Sequence, residues 1–209
     1  GFCGYAFSFL EDTEPGRASS LYERGKDYAL RATIIRTGRE KWQDLSLDEW
    51  SRALKEVEVA HQPPLFWLGQ CWGGWLMQNL DSVEVFADIP RLEILMKKVH
   101  ELNPAFHHAG PNLFLGAFYG GRSKMLGENP EKSRHHFEKA LELTENKYLL
   151  VRLLFAKTYA VQNQDRELFE SQLQAVLQAP PNLFPEQRLA NEVARKKATQ
   201  LLDQIDELF

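Results

Sequence analysis

Residues 130–143 read Pro130-Glu131-Lys132-Ser133-Arg134-His135-His136-Phe137-Glu138-Lys139-Ala140-Leu141-Glu142-Leu143. The small Ser133, the large Phe137 and the small Ala140 recur at helical spacing, so they share one face of a helix. Upstream, Leu115-Gly116 followed by Tyr119 supplies a second apolar face, and the stretch from Gly120 to Asn129 connects the two as an insertion. Small residues let paired helices approach, and the large aromatic fills the gap toward a neighbour. The segment therefore predicts a helix pair with a tightly packed seam.

The same punctuation recurs along the chain, which is the signature of stacked repeats. Leu68-Gly69 followed by Trp72 repeats the first-helix pattern, and Leu92, Met96, Val99 and Pro104 repeat the second, with a longer connection between them. Ala156, Tyr159, Leu168, Ala175 and Pro180 form an uninterrupted third copy. A degenerate earlier copy runs from Gly1 to Leu10 and from Ala18 to Arg36, with Pro15 near the start of its second helix. A Leu-Gly pair, an aromatic, a small residue and a closing Pro in this order make the tetratricopeptide pattern.

Each pair leaves an apolar face that must be covered, so pairs stack and a final helix caps the array. The helix expected from Glu186 to Leu208 fits that role, with Leu189, Val193, Leu201, Ile205 and Leu208 near one face and Lys197 interrupting it. Arg195, Lys196, Gln200, Asp203 and Asp206 fall elsewhere. Strand signals are nearly absent. The predicted fold is all-α: tetratricopeptide-like stacked antiparallel helix hairpins, an α-solenoid with a C-terminal capping helix, forming a single domain over residues 1–209.

Composition narrows the function. A chain of 209 residues with 44% hydrophobic content buries a substantial core. Its 29 acidic and 25 basic side chains are dispersed, for a net charge of −4, with no basic block to neutralise phosphates, so nucleic acid is not an expected partner. The longest apolar run, Leu65 to Met77, is short of the roughly 20 residues a membrane span needs. Cys3 and Cys71 sit among small and aromatic residues that suit either packing or a disulfide. The chain opens inside a helix-like apolar run, so an upstream segment is expected.

Motifs for chemistry are weak. Gly116-Ala117-Phe118-Tyr119-Gly120-Gly121-Arg122-Ser123 imitates a phosphate-binding loop, but its glycines end a helix where that loop must open one. His107-His108 and His135-His136 lack a third ligand at metal spacing and read as solvated or capping histidines. No Ser or Cys stands in a nucleophile setting, and no cofactor or metal is expected. The chain reads as a binding scaffold, not an enzyme.

What exceeds a plain scaffold is aromatic density. Phe66, Trp67, Trp72 and Trp75 crowd one first helix, and Phe114, Phe118 and Tyr119 another. A helix apolar on all sides is buried or lines a cavity. Repeat core accounts for many such positions, yet Trp67, Trp72, Trp75, Phe114, Phe118 and Tyr119 are candidate lining for an apolar ligand's cavity. Arg122 and Lys124, in the neighbouring insertion, are candidate contacts for an anionic head group or a partner's carboxylate, or else solvated loop cations.

Several stretches together carry a specific resemblance. They are Tyr5-Ala6-Phe7, Leu21 to Arg31, Trp67-Leu68 with Trp72-Gly73, Leu113-Phe114-Leu115-Gly116 with Tyr119-Gly120, Met125-Leu126-Gly127, and Ile205-Asp206-Glu207-Leu208-Phe209. Across nearly the whole chain the sequence resembles the TatT family, the T component of tetratricopeptide-associated TRAP transporters of bacteria. The resemblance implies a periplasmic lipoprotein that forms homotrimers, docks a periplasmic TRAP solute-binding protein and has a channel or cavity in each subunit for an apolar or organic-acid ligand. It also implies a membrane contact only through a lipidated cysteine upstream of the repeats; Cys3, inside the first repeat helix, does not match it. The expected function is thus that of an accessory subunit of TRAP-type solute uptake. The alternative is a generic tetratricopeptide adaptor gripping a peptide or protein in its concave groove, against which the Trp- and Phe-rich first helices argue.

Overall fold

The computed structural model describes residues 1–80, 82–122, 127 and 129–209. The chain is all-α, and no strand occurs among the described residues. It divides into two compact units, Gly1–Pro104 and Ala105–Phe209.

In the first unit, α1 (Phe2–Tyr5) runs directly into a π-helical turn, Ala6–Leu10. Helix α2 (Pro15–Thr37) starts at Pro15, whose fixed φ suits a first helical position, and stops at Gly38, which takes the left-handed conformation (φ 66°) and returns its N–H to Ile34 O at 2.9 Å. Its buried stripe is Ala18, Tyr22, Gly25, Ala29 and Thr33, small except for Tyr22, and it packs closely on α4 (Gln62–Met77). Between them lie a 3-10 turn at Trp42–Asp44 and α3 (Leu47–Lys55). Helix α3 opens with a capping box: Ser46 accepts from the Glu49 N–H, and the Glu49 carboxylate accepts from the Ser46 N–H at 2.9 Å. The Ser46 hydroxyl also donates to that carboxylate at 2.7 Å, and this bond first, then the one from the Ser46 N–H, holds the Glu49 carboxyl below its usual range.

Helix α5 (Val83–Leu102) packs on α3 and α4. The connection from α4 spans residues 78–82 only, so the extra length expected there resides in α5 itself, a helix of 20 residues. Gly69 admits the Met96 thioether where a Cβ would collide with it.

In the second unit, α6 spans Phe106–Gly120, but His107, His108 and Ala109 hold left-handed φ of 46°, 57° and 57°. His107 and His108 thus stand in a left-handed turn and not on a regular helix. The regular part of α6 begins beyond them, leaving Pro111 in its first turn, where a missing N–H is harmless. Helix α7 (Pro130–Leu143) is capped by Asn129, whose side chain accepts from the Lys132 N–H at 3.0 Å. Gly116 lies under the Phe137 ring, and Ser133 Oγ donates to Gly116 O at 2.7 Å, closing the α6–α7 seam. Helix α8 (Leu150–Leu154) continues as a π-helical segment, Phe155–Ala160, and packs on α9 (Arg166–Gln178), capped by Asp165.

The C-terminal helix is α10 (Arg188–Asp203), after a 3-10 turn at Pro185–Gln187, and a short α11 (Ile205–Leu208) follows. Its docking face differs from the expected stripe. Leu189 is exposed, whereas Asn191, Val193, Ala194, Lys197 and Ala198 are buried. Asn191 accounts for the change: it accepts from Leu149 N and donates to Lys147 O, both at 2.9 Å, so a polar clamp sets the helix's rotation. Arg195 donates to Val176 O and Pro180 O at 3.0 Å, a cation on carbonyls at the end of α9.

Candidate functional site

The candidate aromatic residues form separate groups in the two units. In the first, Trp72 is buried and its indole N–H donates to Asp88 Oδ2 at 2.8 Å. Its ring meets Trp50 edge-on at 5.8 Å, and Trp50 meets Trp42 edge-on at 5.1 Å. Trp50 donates to Arg91 O at 3.1 Å and Trp42 to Thr37 Oγ1 at 3.1 Å, so each buried indole is satisfied. Trp75 is half-buried with the Lys26 ammonium 4.5 Å from its ring centre, and Trp67 is exposed. The sequence reading missed Trp42 and Trp50. The signal was present as the Ser46-x-x-Glu49 box ahead of Trp50.

Cys3 and Cys71 form a disulfide with Cα atoms 5.4 Å apart. This settles a choice the sequence left open, and it consumes the Cys3 thiol, which is thereby unavailable for lipidation. The bond lies against Gly25 in a cluster with Ala6, Leu10, Ala18 and Tyr22. Tyr22 donates to Glu11 Oε2 at 2.9 Å; burial and that neighbouring carboxylate push its pKa well above the ordinary phenol range.

In the second unit, Phe114 and Phe118 are half-buried and stacked with ring centres 5.5 Å apart. Arg122 is buried, not solvated, with its guanidinium 3.6 Å from the centre of the Phe118 ring. Tyr119 is buried, stacks on His136 at 6.0 Å and has the Lys132 ammonium 5.6 Å from its ring centre. His136 Nδ1 lies 2.9 Å from Asn112 Oδ1, within hydrogen-bond distance. Lys124 lies outside the described residues. Next on α7, Arg134 donates to Tyr159 OH at 3.1 Å and lies over that ring, which raises its pKa further.

The left-handed turn at the start of α6 is held by aromatic packing. The His108 ring lies 5.5 Å from Tyr148 and edge-on to Phe184 at 5.2 Å, and burial pushes the Tyr148 phenol up to about 12. The His107 side chain is exposed, but desolvation at the turn first, then the neighbouring His108, lowers its pKa. Among the described residues no group of three or more His, Cys, Asp or Glu is arranged to hold a metal ion, and no helix is long and apolar enough to cross a membrane.

A cleft of about 430 Å³ opens in the first unit at the C-terminal ends of α2 and α3. Arg39 and Glu56 pair across it at 2.6 Å, and none of the expected aromatic positions lines it. The candidate groups offer ring faces and cations, and among their described residues none pairs a nucleophile with a base.

The chain matches the family model for the TRAP transporter T-component over residues 1–209. It belongs to that family. A search of curated proteins gave no match. As a T-component the chain is an accessory part of a TRAP transport system, and its family is not one of known enzymes.

Proposed function

We propose that this T-component is a periplasmic accessory subunit of a TRAP uptake system that assembles as a homotrimer, docks the system's solute-binding protein and passes an apolar or organic-acid ligand along aromatic side chains. The observation that carries the reading is the family match across residues 1–209. The Cys3–Cys71 disulfide supports the compartment, since such bonds persist in oxidising environments such as the bacterial periplasm. Lipid anchoring belongs to the same reading.

The array is of the tetratricopeptide kind, acting as one domain. Support comes from the consecutive pairs α4 with α5, α6 with α7, and α8 and its π-helical extension with α9, and from α10 covering α9. Small-on-large seams such as Gly116 beneath Phe137 are what such pairs need.

In the first unit the ligand meets Trp67 and Trp75, with Trp72 as the wall behind them. In the second it meets Phe114 and Phe118 over Tyr119, and Arg122 and Lys124 serve an anionic end. Solution mass measured with and without the solute-binding protein of its TRAP system tests the assembly. A trimer that gains mass on mixing supports it, and a monomer that ignores that protein overturns it.

A further inference from the structure

One face of α2 brings exposed rings and cations together. Arg24, Tyr28, Arg31 and Ile35 recur at helical spacing beside the buried stripe of Ala18, Tyr22, Gly25, Ala29 and Thr33. Tyr28 is 49% and Ile35 80% exposed. The face is nonetheless ordered. Tyr28 stacks on Phe2 with ring centres 5.6 Å apart and planes within 8°. The Arg24 guanidinium sits 5.1 Å from the Phe2 ring centre, and that of Arg31 sits 5.6 Å from the Tyr28 ring centre. Phe9 and Tyr5, in contact with each other and about half exposed, continue the aromatic surface along α1 and its π-helical extension.

The charges here are uncompensated. Asp27 stands one helical turn from both Arg24 and Arg31, yet among the described residues no carboxylate pairs with either guanidinium. An arginine resting beside a ring still has N–H donors in a fork that matches a bidentate carboxylate. Rigid Tyr and Arg side chains are what protein interfaces concentrate at their anchoring points. Lysine clusters, which a lipid surface would call for, are absent from this stripe, and the net charge of −4 disfavours an anionic membrane.

We infer that the Arg24–Tyr28–Arg31–Ile35 face of α2 is a docking surface for an acidic protein partner, its carboxylates taken by Arg24 and Arg31 and an apolar side chain seated on Tyr28 and Ile35. On the reading given above, that partner is the solute-binding protein, and the inference rests on that reading.

The test uses the full chain and the solute-binding protein of its TRAP system, with affinity measured by titration calorimetry for wild type, for Arg24→Glu/Arg31→Glu, and for Arg52→Glu/Lys55→Glu, which makes the same charge change on α3. The α2 pair is expected to weaken binding at least tenfold, with an unchanged melting curve, and the α3 pair to leave it within about twofold. Tyr28→Ala, which keeps the charge, is expected to weaken it several-fold. Wild-type affinity in the α2 pair overturns the docking surface while leaving the proposed function standing. Equal weakening by both pairs also overturns it, since net charge alone then explains the effect. A loss of trimer mass in the α2 pair without loss of partner affinity assigns the face to self-assembly and overturns it too. Absence of binding by wild type itself refutes the docking function, and this surface with it.

Discussion

Gly25 faces Cys3 so closely that a Cβ on residue 25 would stand 2.6 Å from the Cys3 Sγ, and 2.8 Å from that of Cys71. A disulfide cannot swing aside as the end of a long side chain can, so α2 reaches this position only without a side chain. Gly25→Ala is expected to destabilise the protein by about 1–3 kcal/mol through overpacking. The decisive measurement is a double-mutant cycle with Cys3→Ala/Cys71→Ala: once both sulfurs are gone, most of the Gly25→Ala penalty should vanish. Additive effects would contradict the contact.

The disulfide itself joins residues separated by 68 positions. In the chain-entropy account, closing a loop of that size disfavours the unfolded state by about 4 kcal/mol. Cys3→Ala/Cys71→Ala should lower the denaturation midpoint accordingly. Thiol titration of the unreduced, denatured protein should find no free cysteine; finding both would refute the bond.

Trp72 and Trp67 stand on one helix in opposite circumstances. Trp72→Phe removes the indole donor from Asp88 and should lose about 1–3 kcal/mol of stability. Trp67→Phe, at a position 39% exposed, should stay within about 0.5 kcal/mol of wild type. Under the ligand reading, Trp67→Ala lowers retention of an apolar ligand without moving the melting temperature. Unaltered retention would remove Trp67 from the ligand's path.

His107 makes stability sensitive to acid. Its folded pKa lies below the ordinary histidine value because desolvation and the His108 ring disfavour the charged form. The unfolded state therefore takes up the proton first as pH falls through about 6.5. The contribution is intact above that unfolded value and is lost as pH drops toward the folded one. His107→Asn keeps a residue tolerant of φ 46° and should flatten the fall in melting temperature on acidification. Parallel curves for the two proteins would refute the assignment.

The pairing of α6 with α7 was legible because Gly116, Ser133, Phe137 and Ala140 are local signals of a close seam, and the structure places Gly116 under Phe137. The same holds for Pro15 at the start of α2 and for the connection between Gly120 and Pro130. Helix α3 was missed although its capping box is a local signal, because no repeat pattern runs through it. Asn191 was passed over for a different reason. A buried polar side chain is set by carbonyls and amides supplied from residues far away in the chain, and hydrophobic periodicity carries no record of them.

By itself the sequence determined that the chain is helical, where some of its helices begin, as at Pro15 and Pro130, and through its family pattern that it is a TRAP T-component. Those properties rest on spacing within a turn or two and on the order of residue types. Only the tertiary structure decided that Cys3 pairs with Cys71, that Arg122 is buried on Phe118, that α10 turns its Asn191 inward, and that Arg24 and Arg31 stand on rings without a carboxylate. Each depends on which distant groups arrive at the same place, and that is settled by packing between elements.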